Sequence, residues 1–212
     1  MNRKLILPGL ILFGYLIGNS SCTPKQNDNA SEENIRKLKD SITTLMITFD
    51  TAMWEKALLL NDSILKIDTL QSNIRHNYQT RYSILIMLGR QEEAFDAMDK
   101  ALPKDMRNVD RLIYNGNRSM LKGQKDSSTY YFSLALDICD SLVKQNYNTN
   151  TVGQKVGVLL MLEKKEEAKS LVKDALSKSP DDEILKLLEE NIDDLHDAIR
   201  RERESDIYKL SE

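Results

Sequence analysis

A chain of 212 residues holds one ordinary domain with a short leader. With 41% hydrophobic and 30% charged residues, and few Gly and Pro, it suits a helical globular protein and argues against both a disordered chain and a many-turned β fold. The formal net charge is -3, about -5 once Arg3 and Lys4 leave with a leader, and the missing clusters of Lys and Arg argue against a nucleic-acid partner.

In chain order, Met1 to Lys4 is basic and Leu5 to Ile17 is an apolar run of thirteen residues. Small or polar residues from Gly18 to Ser21 precede Cys22. This is the three-part layout of a secretory signal, and its apolar core is shorter than the roughly 20 residues a membrane-crossing helix needs. Asn19 to Cys22 resembles the bacterial lipoprotein lipobox, although Asn19 stands where an aliphatic residue is usual. The resemblance implies cleavage after residue 21 and acylation of the Cys22 thiol, a membrane anchor made stable by two or three acyl chains. Thr23 in place of Asp favours the outer membrane. A plain secretory signal and an uncleaved anchor remain alternatives. Thr23 to Glu33 is polar and predicts a flexible tether, so that residues 22–33 form a lipidated linker.

From Asn34 onward apolar residues recur at steps of three and four. Ile35, Leu38, Ile42, Leu45, Met46 and Phe49 make one stripe, and Ala57, Leu58, Ile64 and Leu65 belong to another. This spacing predicts amphipathic helices and an all-α fold. The segments Met87 to Ala94 and Met161 to Ala168 align without a gap at an offset of 74, and Gly123 lies thirty-four residues after Gly89. Successive offsets of thirty-four and forty leave six extra residues, expected in the loop Asn146 to Thr151.

The pattern resembles the tetratricopeptide repeat, a helix–turn–helix unit. Gly89 and Gly123 match the turn. Ala94, Ser128 and Ala168 match the first small residue of the second helix. Met98, Phe132 and Val172 fill the large apolar place, Ala101, Ala135 and Ala175 the second Ala, Pro180 the terminal Pro, and Gly116 the small contact on a first helix. Tyr82, Val156 and Glu163 depart from it, and Trp54 to Ala57 marks a degenerate earlier unit. The resemblance implies a short α-solenoid of antiparallel helix pairs, three to four repeats over residues 34–195 with a capping helix. An irregular bundle is the alternative. Asp181 to Leu195 reads as that capping helix, with Ile184, Leu187, Leu188, Ile192 and Leu195 as its apolar face. Residues 196–212 read as a charged, solvated helix end or tail.

No chemistry stands out. His76 and His196 lie in no His-Glu-x-x-His or Cys-x-x-Cys context, and no phosphate loop or Gly-x-Ser-x-Gly elbow is present. Glu92-Glu93, Glu166-Glu167 and Asp181-Asp182 read as solvated faces or helix starts. Cys139 reads as a small buried apolar residue. We therefore expect no catalytic residue, no metal and no cofactor. The resemblance implies instead a groove, lined by the first helices of successive units, that holds a protein or peptide partner. Its lining would include His76, Gln79, Ser83, Ile113, Asn117 and Met120. Asn117 fits one position of the subtype that clamps a terminal carboxylate, but Gln79 and Ile113 stand where that subtype has Lys. These features predict an envelope adaptor; an accessory lipoprotein of an outer-membrane nutrient or glycan uptake system is the alternative. Finally, Asp40-Ser41, Asp50-Thr51, Asp62-Ser63, Asp68-Thr69 and Asp140-Ser141, each with an apolar residue next, resemble an O-glycosylation motif of one bacterial lineage.

Overall fold

A computed structural model describes residues 29–204, apart from 49 and 146. The leader, Cys22, Phe49, Asn146 and the last eight residues lie outside the described residues. Within them the chain is all-helical: α1 (Asn29–Met46), α2 (Thr51–Ile67), α3 (Gln71–Met87), α4 (Gln91–Ala101), α5 (Val109–Leu121), α6 (Lys125–Gln145), α7 (Thr149–Met161), α8 (Lys165–Lys178) and α9 (Glu183–Glu204). They form two compact units, one ending at Pro103 and one running from Lys104.

In the N-terminal unit each helix packs on the next in sequence, α1 on α2, α2 on α3 and α3 on α4. Ile42, Ala57, Leu58, Ile64, Ile84, Leu85, Ala94 and Ala97 form its core, with Ile35, Leu38, Leu45 and Met46 packed against it. The predicted α1 stripe is thus the buried face. The helix begins earlier than the sequence suggests, at Asn29, inside the expected tether. Ala30, Glu32 and Glu33 are good helix formers, and acids in a first turn suit the positive end of the helix dipole.

In the C-terminal unit α5 to α9 also pack in sequence order, and α7 and α9 touch as well. One core joins Leu112, Ile113, Phe132, Ala135, Val156, Leu159, Ala168, Val172, Ala175, Leu185, Leu188, Ile192 and Ile199. Two expectations change here. The six extra residues do not make a long loop. α6 is ten residues longer than α4, and the link to the next helix is four residues shorter. The apolar Tyr131, Leu134, Ile138 and Leu142 pack against the core, which carries the helix onward. The capping helix is also turned relative to its predicted face. Ile184 and Leu187 are 48% and 54% exposed, while Leu185, Leu188, Ile192 and Ile199 are buried. Asp182 caps it as expected, accepting from the N–H groups of Ile184 and Leu185.

The three hairpin turns share one geometry. Gly89, Gly123 and Glu163 have φ of 73°, 69° and 61°. After each, the next N–H reaches back to a carbonyl five residues earlier, Arg90 to Leu85, Gln124 to Ser119 and Lys164 to Leu159, with a second bond inside it. This is the Schellman closure, which needs a residue in the left-handed region. Four residues further on Ala94, Ser128 and Ala168 are buried, each donating its N–H to the residue that follows the turn. At Gly116 an added Cβ would stand 2.6 Å from the Phe132 ring, so only glycine lets α5 and α6 approach this closely. The α1–α2 link has a different closure, with Thr48 N–H donating to Leu45 and Asp50 capping α2. This accounts for the irregular spacing of the earliest unit.

Candidate interaction surface

The six residues assigned to a groove divide three and three between the two units. On α3, His76, Gln79 and Ser83 are spaced at three and four residues and therefore share one face. His76 is exposed, Gln79 and Ser83 are half-buried, and the Ser83 hydroxyl donates to the Gln79 carbonyl at 3.2 Å. What burial His76 has, together with the cation of Lys39, holds its imidazole below its ordinary pKa, so the ring is neutral at pH 7.

On α5 the three fare differently. Ile113 is 8% exposed and belongs to the core, and Met120 is 9% exposed with the Arg203 guanidinium against its sulfur at 3.2 Å. Both are packing residues in this conformation rather than open lining, because α5 buries most of its surface. Asn117 remains: it is half-buried, and its Oδ1 is closed to water with no hydrogen-bond partner. An unsatisfied buried acceptor costs on the order of 1–3 kcal/mol, so this atom invites a donor. The neighbouring helices supply more polar groups. Gln154 of α7 donates to Asp110 of α5 at 3.0 Å, and Lys155 pairs with Asp140 of α6 at 2.8 Å. Gly153 sits beside Gln154 with nothing near the place its Cβ would take, so this stretch of α7 is open.

Sequence reasoning missed two polar clusters. In the N-terminal unit Asp68, 3% exposed, ends α2 and accepts from Asn73 at 3.1 Å and Asn77 at 3.0 Å, with Lys39 at 3.6 Å. Asn61, also buried, donates to the Asn77 carbonyl at 3.1 Å, while its own Oδ1 is unpartnered. Burial alone would raise the Asp68 carboxyl, but the Asn77 and Asn73 amides, Lys39 and the Leu70 N–H outweigh it and hold the group below its ordinary value. The signal available in the sequence was polar residues, Asn61 and Asn77, interrupting apolar faces.

The second cluster closes the C-terminal unit. Glu163 accepts from Arg203 at 2.6 Å and pairs with His196 at 3.1 Å, and the Arg203 guanidinium also donates to the Met161 carbonyl. The side chain of His196 is only 11% exposed and that of Arg203 24%, so neither belongs to the freely solvated stretch the sequence suggested. Glu163 occupies a left-handed position that glycine fills in the two other turns, and its carboxylate ties that turn to α9.

Cys139 is fully buried, and burial, with Asp140 adding to it, pushes its thiol up to about 12. Among the described residues no group of three or more His, Cys, Asp or Glu side chains is placed to hold a metal ion, and no helix is long and apolar enough to cross a membrane. No protein family, curated protein or solved structure matches the chain. Of the Asp-Ser/Thr motifs, Ser41, Thr51, Ser63, Thr69 and Ser141 are all exposed. Four of the five acids have work within the fold: Asp50 caps α2, Asp62 pairs with Arg81, Asp68 anchors its network and Asp140 holds Lys155.

Proposed function

We propose that the chain is a bacterial envelope lipoprotein, anchored through acylated Cys22 on the outer membrane, whose tetratricopeptide-like helix pairs form a protein-interaction module. One observation carries the module: the same left-handed closure stands at Gly89, Gly123 and Glu163, each followed by a buried small residue at Ala94, Ser128 and Ala168. A closure repeated at offsets of thirty-four and forty supports reading the chain as one helix–turn–helix unit used three times. Stacked units of this kind make extended surfaces for partners. The polar groups at the positions the reading assigns to first helices are His76, Gln79 and Ser83 on α3 and Asn117 on α5, with Asp110 and Gln154 paired beside it. Such amide, hydroxyl and neutral imidazole groups suit the backbone of an extended peptide segment.

Intact mass of the protein taken from native membranes tests the anchor. The expected mass is that of the chain from Cys22 plus acyl groups; a mass without acyl groups contradicts it. The same spectrum reads O-glycosylation at the exposed Asp-Ser/Thr motifs as added hexose-sized increments. The module is tested by substitution. Ser83→Arg and Asn117→Arg are expected to reproduce the envelope defect of a deletion strain, whereas Lys100→Glu, on α4, leaves cells unaffected. Equal effects at all three positions contradict the groove.

A further inference from the structure

We propose that the end of the N-terminal unit formed by the start of α1 and the α2–α3 link seats on the lipid surface, with Ile67 and Leu70 as its contact residues. This rests on the reading of Cys22 as the acylated residue. Three observations carry it.

The first is which parts of the unit share an end. Trp54 Nε1 donates to the Met46 carbonyl at 3.2 Å, so the end of α1 lies beside the start of α2. Fourteen residues separate Trp54 from Asp68, a rise of about 21 Å. Fourteen also separate Met46 from Glu32. The antiparallel pair therefore turns the α2–α3 link toward the half of α1 that holds its start, and the Lys39–Asp68 ion pair at 3.6 Å joins the link to the middle of that helix.

The second is the reach of the anchor. Six residues stand between Cys22 and Asn29, so even fully extended the chain covers about 24 Å from one to the other. α1 has 18 residues and is about 27 Å long. Running back along α1 to set the opposite end of the unit on the bilayer would need that stretch drawn out to its full length. A shorter path favours the end that starts α1.

The third is what that end exposes. Ile67 is 43% and Leu70 is 55% exposed. Leu70 also stands at the N-cap of α3 and makes no side-chain cap, whereas Asp50, Asn108 and Asn148 cap α2, α5 and α7. Leucine is a poor choice there for the helix alone. Lys66, exposed beside this pair, suits an anionic headgroup, and the nearby Glu33 is neutralised by Lys37 at 2.9 Å. The outer side of α1 is polar, with Arg36, Lys37, Asp40, Ser41 and Thr44 exposed, which disfavours the unit lying flat on that side. Ile47 is more exposed than either contact residue, at 67%, but lies at the opposite end. It is an internal control of matched chemistry.

The test uses the full-length lipidated protein reconstituted into vesicles of phosphatidylethanolamine and phosphatidylglycerol. Ile67→Cys, Leu70→Cys and Ile47→Cys are each labelled with an environment-sensitive fluorophore; Cys139 is fully buried and escapes labelling. Circular dichroism checks that each variant keeps its helix content. The expected result is a blue shift at 67 and 70, with quenching by lipid-borne nitroxide several-fold stronger than at 47. Protein that floats with the vesicles while 67 and 70 stay as aqueous as 47, or while all three shift equally, overturns the seat and leaves the anchor standing. Protein that neither floats nor carries acyl mass overturns the anchor reading, and the seat falls with it.

Discussion

The two units solve the same packing problem by different means. The C-terminal unit is held by shape: Gly116 receives the Phe132 ring, and Ala135, Ala168 and Ala175 let neighbouring helices close on an apolar core. The N-terminal unit places a polar network where its first three helices meet: Asn73, Asn77 and Lys39 surround the buried Asp68 carboxylate, and Asn61 donates to the Asn77 carbonyl. Shape tolerates no added volume. A polar network tolerates volume changes nearby but no lost partner, and its directional bonds fix the register of the α1–α3 layer. The turns at Gly89, Gly123 and Glu163, and the buried small residues that follow them, are alike in both units, while the rest of the two cores is built differently.

The largest expected effect breaks the shape-held unit. Phe132→Ala removes a ring that is 1% exposed and lowers stability by about 3–5 kcal/mol, read by denaturant titration. Gly116→Ala, which pushes a Cβ into that ring, costs about 1–3 kcal/mol in the wild-type background. In the Phe132→Ala background the same change becomes stabilising, by up to about 1 kcal/mol from helix propensity. A penalty that persists without the ring would show that Gly116 serves something other than the ring.

The polar unit breaks through its partners and through pH. Asn77→Ala strips Asp68 of one donor and is expected to cost about 1–3 kcal/mol, with melting followed by circular dichroism. Asp68 sits below its ordinary value of 3.8, so the folded state binds the proton less readily than the unfolded chain. Its contribution is therefore complete above that ordinary value and is lost as pH falls through the lower folded value. Asp68→Asn should flatten this part of the acid-unfolding profile; an unchanged profile would mean that other carboxylates carry the acid dependence.

The third turn sharpens the comparison at smaller scale. Gly89→Ala forces a side chain into the left-handed region and costs about 1–2 kcal/mol. Glu163→Gly relieves that strain but gives up Arg203 and His196, so the net change is close to zero. In an Arg203→Ala background, where most of the tie to α9 is already gone, Glu163→Gly should stabilise by about 1 kcal/mol. The smallest effect is chemical. Cys139, with its thiol pushed up to about 12, should resist alkylation at pH 8.5 in the folded protein and react only on unfolding.

Much of this architecture was legible from residues whose roles are local. Gly89 and Gly123 announce left-handed turns, and Ala94, Ala101, Ala168 and Ala175 announce close helix approach. Glu163 kept the register of Gly89 and Gly123 despite its side chain, because its carboxylate gains partners on α9. What escaped the sequence depends on three-dimensional neighbours. Asn61 and Asn77 look like interruptions of an apolar stripe until Asn77 is placed against the buried Asp68 carboxylate and Asn61 against the Asn77 carbonyl. α9 carries two overlapping apolar faces, one through Ile184, Leu187 and Leu188 and one through Leu185, Leu188, Ile192 and Ile199, and only its packing on α7 and α8 chooses the second. The proposed groove comes from the repeat resemblance alone, as six positions on α3 and α5. Ile113 and Met120 occupy those positions, yet both are buried, and the polar Asn117 between them is half-buried.

The most direct test of the central claim is in-cell crosslinking with a photoreactive residue placed at Ser83 or Asn117, and at Lys100 as control, followed by mass spectrometry of the adducts. The proposed function predicts a protein partner captured from each of the two test positions and absent from the control. Adducts that match those of Lys100 would contradict it and leave the helical domain a structural role.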